Sequence, residues 1–203
     1  MSHPIRLSPK DLFSSEEWAR LTRRSDILGL GMIAHAWGLI VLAMALVAIW
    51  PNPLTWLIAV MIIGARQLGL AILMHEAAHG GLSTNLKVND WAGQWLCAAP
   101  VGAHLKNYRD YHLSHHKWAQ SEKDPDLILS APFPITRTSL RRKIIRDLTG
   151  QTFWKQRSNQ FLNAMGFGIR KSKGRQNRAQ TAREAVIPFL ITNAILLVVL
   201  TLA

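Results

Sequence analysis

Cysteine is almost missing from this chain, and acidic residues are scarce. Cys97 is the single cysteine in 203 residues. That excludes an intramolecular disulfide framework and a zinc cluster built on thiolates. A metal site, if present, must rest on histidine and carboxylates. Asp and Glu number 12 against 24 Lys and Arg, which leaves a formal charge of +12. The amino-terminal stretch MSHPIRLSPKDLFSSEEW has no apolar core behind its first basic residue, so no secretory signal peptide is expected there. No internal repeat occurs, no haem or ferredoxin motif is present, and no histidine follows His116.

What the chain does have is apolar sequence, at 49% of its residues. A mean hydropathy of +0.08 is high for so basic a chain. Apolar residues and charges must therefore occupy separate blocks. Three apolar blocks stand out, at about 27–50, 54–74 and 185–203. Roughly 20 apolar residues cross a bilayer core as a helix. The first two blocks exceed that. The third just reaches it and ends in LLVVLTLA. Only Pro51-Asn52-Pro53 joins the first two, which forces an antiparallel hairpin. Trp50 and Trp56 flank the turn, where an interfacial aromatic belt would sit.

Charge gives the orientation. Five Lys/Arg lie in residues 1–25, eighteen between Met74 and Ala185, and none in the hairpin turn. The positive-inside rule then puts residues 1–25 and 75–184 in the cytoplasm. Arg66 alone among the cations falls within an apolar block. An intramembrane Arg is costly, so it either snorkels, pairs inside the bundle or serves function. Residues 137–183 hold thirteen Lys/Arg against one acid, Asp147. This zone reads as a positive-inside loop, a patch on anionic headgroups or a dock for an acidic electron carrier. The membrane setting argues against nucleic acid. Lys171–Arg178 is expected to be mobile.

Six of eight histidines fall between His75 and His116, and five of them form two patterned boxes. The first, His75-Glu76-Ala77-Ala78-His79, continues the second apolar block. Residues four apart share a helix face, so His75 and His79 can present two imidazoles to one metal. The row Leu68, Ile72, His75, His79 runs back along that face into the membrane. Gly80-Gly81 then ends the helix. In the second box, His112-Leu113-Ser114-His115-His116, a helix makes three imidazoles converge. The intervening Leu86–Pro100 segment, with Trp91 and Trp95, is weakly amphipathic. It is expected to lie in the interface or dip into it, and then fold back to bring the boxes together. Imidazole suits zinc, copper and iron, and five histidines exceed one zinc site. His35 is expected to be structural, His104 to be a lesser candidate ligand, and His3 carries no signal.

These residues resemble the membrane fatty acid desaturase family. The resemblance rests on HEAAHG at 75–80, NDWAGQWLCAAP at 89–100, YRDYHLSHH at 108–116 and DPDL at 124–127. It covers about residues 25–203. It implies a four-helix membrane anchor and a cytoplasmic cap holding two irons. It also implies that oxygen and two electrons remove hydrogens from an unactivated lipid C–H. His75, His79, His112, His115 and His116 would then be iron ligands. The substrate would be a membrane lipid or acyl chain, and the electron donor a protein such as ferredoxin or cytochrome b5. The family has a third His-x-x-His-His box after a second membrane hairpin, and residues 1–203 contain none.

The expected fold is therefore an all-α integral membrane protein. A transmembrane hairpin carries a cytoplasmic helical cap with the His boxes, and a third transmembrane helix lies at the C-terminus. Residues 1–203 read as one desaturase-like domain, truncated, or as an inactive remnant. Three other functions compete. Related enzymes hydroxylate or ketolate lipids or carotenoids on similar boxes. HEAAH also fits a membrane zinc metalloprotease with Glu76 as general base, though that leaves HLSHH without a role. The last is a non-enzymatic membrane protein that only binds metal.

Overall fold

The computed structural model describes residues 7–165 and 175–202. His3 and the first half of the segment expected to be mobile, 171–174, lie outside them. Two short helices, α1 (Pro9–Leu12) and α2 (Ser15–Leu21), each start with a serine capping box and bury no residue. Two long helices follow, α3 (Asp26–Ile49) and α4 (Pro53–Ala78). At 1.5 Å per residue they are about 36 and 39 Å long, more than a bilayer core requires. Asn52 sets the turn between them. Its side chain accepts from the amides of Leu54 and Thr55 at 3.0 and 3.2 Å. Thr55 Oγ1 donates back to the Trp50 carbonyl at 2.6 Å, closing the hairpin. Trp50 and Trp56 stay exposed beside it.

Buried residues on α3 are Gly29, Ile33, Ala36, Ile40 and Ala43. Their alternating steps of four and three are the 3.5-residue period of a left-handed helix pair. Small residues let the two backbones approach, as they must where lipid gives no hydrophobic drive to association. Gly29 makes the closest approach: a Cβ there would stand 2.0 Å from the Leu82 carbonyl oxygen, a backbone atom. Gly29→Ala should therefore destabilise the protein by about 1–3 kcal/mol. A lower unfolding midpoint in detergent would register this. An unchanged midpoint would mean the 82–84 loop moves freely away from α3. That loop is also tied by Asp26, whose carboxylate accepts from Ser83 Oγ at 2.7 Å and the Thr84 amide at 2.6 Å.

Helix α4 ends at Ala78, with His79 as its cap. Gly80 takes φ +73°. The Gly80 amide donates to Ala77 O at 3.0 Å and the Gly81 amide to Glu76 O at 2.8 Å. This is a Schellman stop, and glycine at the left-handed position permits it. The expected Gly80-Gly81 terminus is thus present, and the helix is longer than its apolar block.

Helix α5 (Leu86–Ala92) runs into a π-helical stretch at Gly93–Ala98 and a 3₁₀ turn at Ala99–Val101. Cys97, Ala98 and Ala99 are fully buried there. Trp37, near the middle of α3, donates its indole N–H to the Leu96 carbonyl at 2.9 Å. The segment therefore dips beside α3 rather than lying flat. Irregular backbone is tolerated at such depth only inside protein, with its polar groups satisfied. Helix α6 (Leu105–Trp118) carries the second box, followed by α7 (Leu127–Ser130), α8 (Arg137–Leu148) and α9 (Gln151–Ala164). Helix α10 (Arg175–Leu202) contains Pro188.

The fold is that of an all-α integral membrane protein. Among the described residues, three segments are long and apolar enough to cross a membrane: α3, α4 and Ala179–Val199 of α10. The three apolar blocks fall on these helices. Between them lies an apolar cavity of about 320 Å³, lined by Trp37, Ile40, Leu70 and Pro100, with Gln67 and Asn193 as polar groups. Arg66, next to Gln67, is half-buried, and His35 faces outward.

Candidate metal centre

Four of the five box histidines converge. His75 and His79 come from the end of α4, and His112 and His116 from α6. One ring nitrogen from each lies within 4.8 Å of all the others. His79 Nε2 and His112 Nε2 are 2.9 Å apart, as are His116 Nε2 and His112 Nε2. A single imidazole nitrogen is a donor or an acceptor, not both. His112 Nε2 faces two partners, so hydrogen bonding satisfies one of them at most. A cation among the nitrogens satisfies all. The residues present therefore fit a bound metal.

Desolvation favours the neutral form of two of these donors, His79 and His112. Desolvation first, then the neighbouring imidazoles, push His112 down to about 4. The same causes lower His79. Neutral imidazole is the form that binds metal. His75 turns Nδ1 to Glu76 Oε1 at 3.0 Å, which leaves Nε2 for a ligand. Tyr108, one turn before His112, stacks flat on its ring at 5.3 Å and 7°, and so fixes its plane.

His115 stands apart from the four. Its ring centroid is 6.2 Å from that of His112 and 5.7 Å from that of His116. Its Nδ1 lies 2.7 Å from the buried Asp124 carboxylate, and that hydrogen bond raises its pKa. A carboxylate on Nδ1 is a common second contact of a metal-binding histidine, because it fixes the ring and directs Nε2 outward. Asp124 itself is held by the amides of Gln120 and Asp126 at 2.8 and 2.9 Å. His104 caps the far end of α6, 3.8 Å from Glu184 and away from the cluster.

Sequence reasoning missed the residues that bring the two boxes together. Arg109 of α6 donates Nε to Ala78 O at 3.0 Å and Nη2 to Ala77 O at 2.9 Å, on the last turn of α4. Its guanidinium also grips both oxygens of Asp90. Fully buried Asn89 accepts from the Leu82 amide at 3.1 Å and donates to Ala77 O at 2.9 Å. Gln94 Oε1 accepts from the Leu105 amide at 2.9 Å and so caps α6. Asn89, Asp90 and Gln94 all lie in NDWAGQ, a stretch whose polar spacing gives no hint of these partners.

The Fatty acid desaturase family model matches residues 51–203. Dihydrorhizobitoxine desaturase of Bradyrhizobium elkanii is 36% identical over 110 residues, covering 52% of this chain and 30% of that protein. The match thus spans about a third of that relative's length. No solved structure matches the chain. The ordered boxes, the membrane helices and the family match agree: this chain belongs to the fatty acid desaturase family.

Proposed function

We propose that the chain takes part in oxygen-dependent desaturation of a fatty acyl chain in a membrane lipid. The carrying observation is the meeting of four imidazoles from α4 and α6 at the end of a membrane hairpin. Residues 1–203 act as one domain, with the amino terminus and the 75–184 cap in the cytoplasm, as their basic excess favours. His75, His79, His112 and His116 hold iron, and His115, aimed by Asp124, contributes to a second iron site. Five histidines fall short of two six-coordinate metals, so further donors complete the di-iron centre. Bound iron supplies the oxygen chemistry that removes hydrogen from an unactivated C–H.

The chain's own residues do the rest. They keep His79 and His112 neutral, fix the His112 ring plane and open the site toward lipid. The cavity between α3, α4 and α10 suits an acyl chain. It reaches Leu70, five residues and about 7–8 Å along α4 from His75. Electrons come from a soluble or membrane carrier such as ferredoxin or cytochrome b5.

Membranes of a host expressing the protein test this reading, by metal analysis of the purified protein and by mass spectrometry of host lipids. Bound iron and an oxygen-dependent acyl species lighter by two hydrogens are expected. An acyl species that gains oxygen would make the chain a hydroxylase instead. Zinc in place of iron with no lipid product would overturn the proposal.

A further inference from the structure

Helix α8 presents an unusual surface. Leu140, Ile144 and Leu148 recur every four residues and share one side of the helix. Arg142 and Arg146 project from the opposite side. An amphipathic helix of a water-soluble protein lays its apolar side on a core, yet α8 buries no residue. Leu140 and Ile144 are about half exposed, and Leu148 is 84% exposed. Past the Thr149-Gly150 turn, Phe153 and Trp154 at the start of α9 are exposed as well.

The level of this surface is fixed by α9. Arg183 of α10 donates Nε to Ala164 O at 2.8 Å. Arg157 of α9 lies over the Phe189 ring at 5.5 Å and donates to Val101 O at 2.6 Å. Helix α9 therefore crosses α10 between residues 183 and 189, where the charged part of α10 gives way to its apolar run. That is the height of a membrane–water interface. Residues 137–165 carry seven Lys/Arg against one acid, Asp147, and Asp147 accepts from Thr152 Oγ1.

We propose that α8 and the start of α9 form an interfacial foot on anionic lipid. Leu140, Ile144 and Leu148 enter the acyl boundary, and Trp154 sits at headgroup level. Arg142, Lys143 and Arg146 meet phospholipid phosphates and the negative surface charge. Apolar contact and basic residues together are the usual basis of such attachment. Arg141, beside the apolar side, lays its stem along it and keeps its charge in the headgroups. The foot extends the lipid-facing surface of the three long helices, so one bilayer covers both.

The test uses the full chain in nanodiscs, spin-labelled at single introduced cysteines. Cys97 is fully buried and stays unlabelled. Labels at Ile144→Cys and Leu148→Cys should meet dissolved oxygen more than a water-soluble nickel chelate. Labels at Arg142→Cys and Arg146→Cys should show the reverse. Adding phosphatidylglycerol to phosphatidylcholine discs should widen the contrast, and high salt should narrow it. In a chain labelled at Leu148→Cys, Arg142→Gln and Arg146→Gln should each weaken the response to phosphatidylglycerol about fivefold.

Chelate reaching positions 144 and 148 as freely as 142 and 146 would put the helix in water and overturn the proposal. Shielding of 144 and 148 from both probes would also overturn it, because protein would then cover that side, such as a second copy or an acidic redox partner. A lipid-exposed helix indifferent to phosphatidylglycerol and to both Arg substitutions would overturn the anionic part.

Discussion

His112→Ala should strip the metal from the protein and abolish product formation. His112 is the shared neighbour in the cluster, with nitrogens of His79 and His116 both 2.9 Å from its own. It is also the buried member of the four. Losing a residue that merely supports a ligand costs about 10–100-fold in metal affinity, and losing this donor should cost more. Metal content by mass spectrometry of the purified variant measures the effect. His35→Ala is the control, since His35 faces outward from α3, and it should keep wild-type metal content. Full metal content in His112→Ala would remove this residue from the ligand set and leave the α4–α6 cluster a packing feature.

Arg109→Ala should have the largest effect of any substitution outside the histidines. The guanidinium joins three things: the last carbonyls of α4, the Asp90 carboxylate of α5 and the body of α6. Its loss leaves Ala78 O without that donor and Asp90 without its cation. Breaking a fully buried pair costs about 3–5 kcal/mol. Asp90 is 48% exposed, so solvent screening reduces the figure here to about 2–3 kcal/mol. Helix α6 should then shift against α4 and spread the cluster, lowering metal affinity about 10–100-fold. Arg109→Lys should restore little, because a single ammonium cannot replace the planar fork.

A double-mutant cycle with Asp90→Asn would separate the ion pair from the carbonyl contacts. If Arg109→Ala kept wild-type metal affinity and unfolding midpoint, the two boxes would be held by packing alone. The pair also has a pH signature. The hydrogen bond from Arg109 holds the Asp90 carboxyl below the usual range. Its contribution is present above the unfolded value of about 3.9 and is lost as pH falls through the folded value. Arg109→Ala should remove that acid-range slope.

Much of this was legible beforehand where chemistry repeats at short range. The His-x-x-x-His spacing of His75 and His79, and of His112 and His116, places each pair on one helix face, and the structure joins the two pairs. The glycine stop after His79 and the proline-bounded hairpin turn were legible for the same reason, since both depend on residues within one or two turns. A helical spacing of three residues from His112 suggests that His115 converges with its neighbours. In the structure it leans toward Asp124, nine residues on, a partner that no local spacing indicates.

The sequence by itself determined where the three long apolar helices run and which histidines share a helix face. Chain-local geometry and the length a bilayer demands leave few alternatives there. Only the tertiary structure decided which side of α3 packs on α4, because apolar residues surround both helices and lipid is as apolar as a helix partner. It alone decided that Leu86–Val101 dips beside Trp37. It alone decided that Asn89, and Arg109 held by Asp90, bind the end of α4. Those contacts join residues 12 to 59 positions apart, and polar groups in a poorly hydrated region take whatever partner the fold brings within reach.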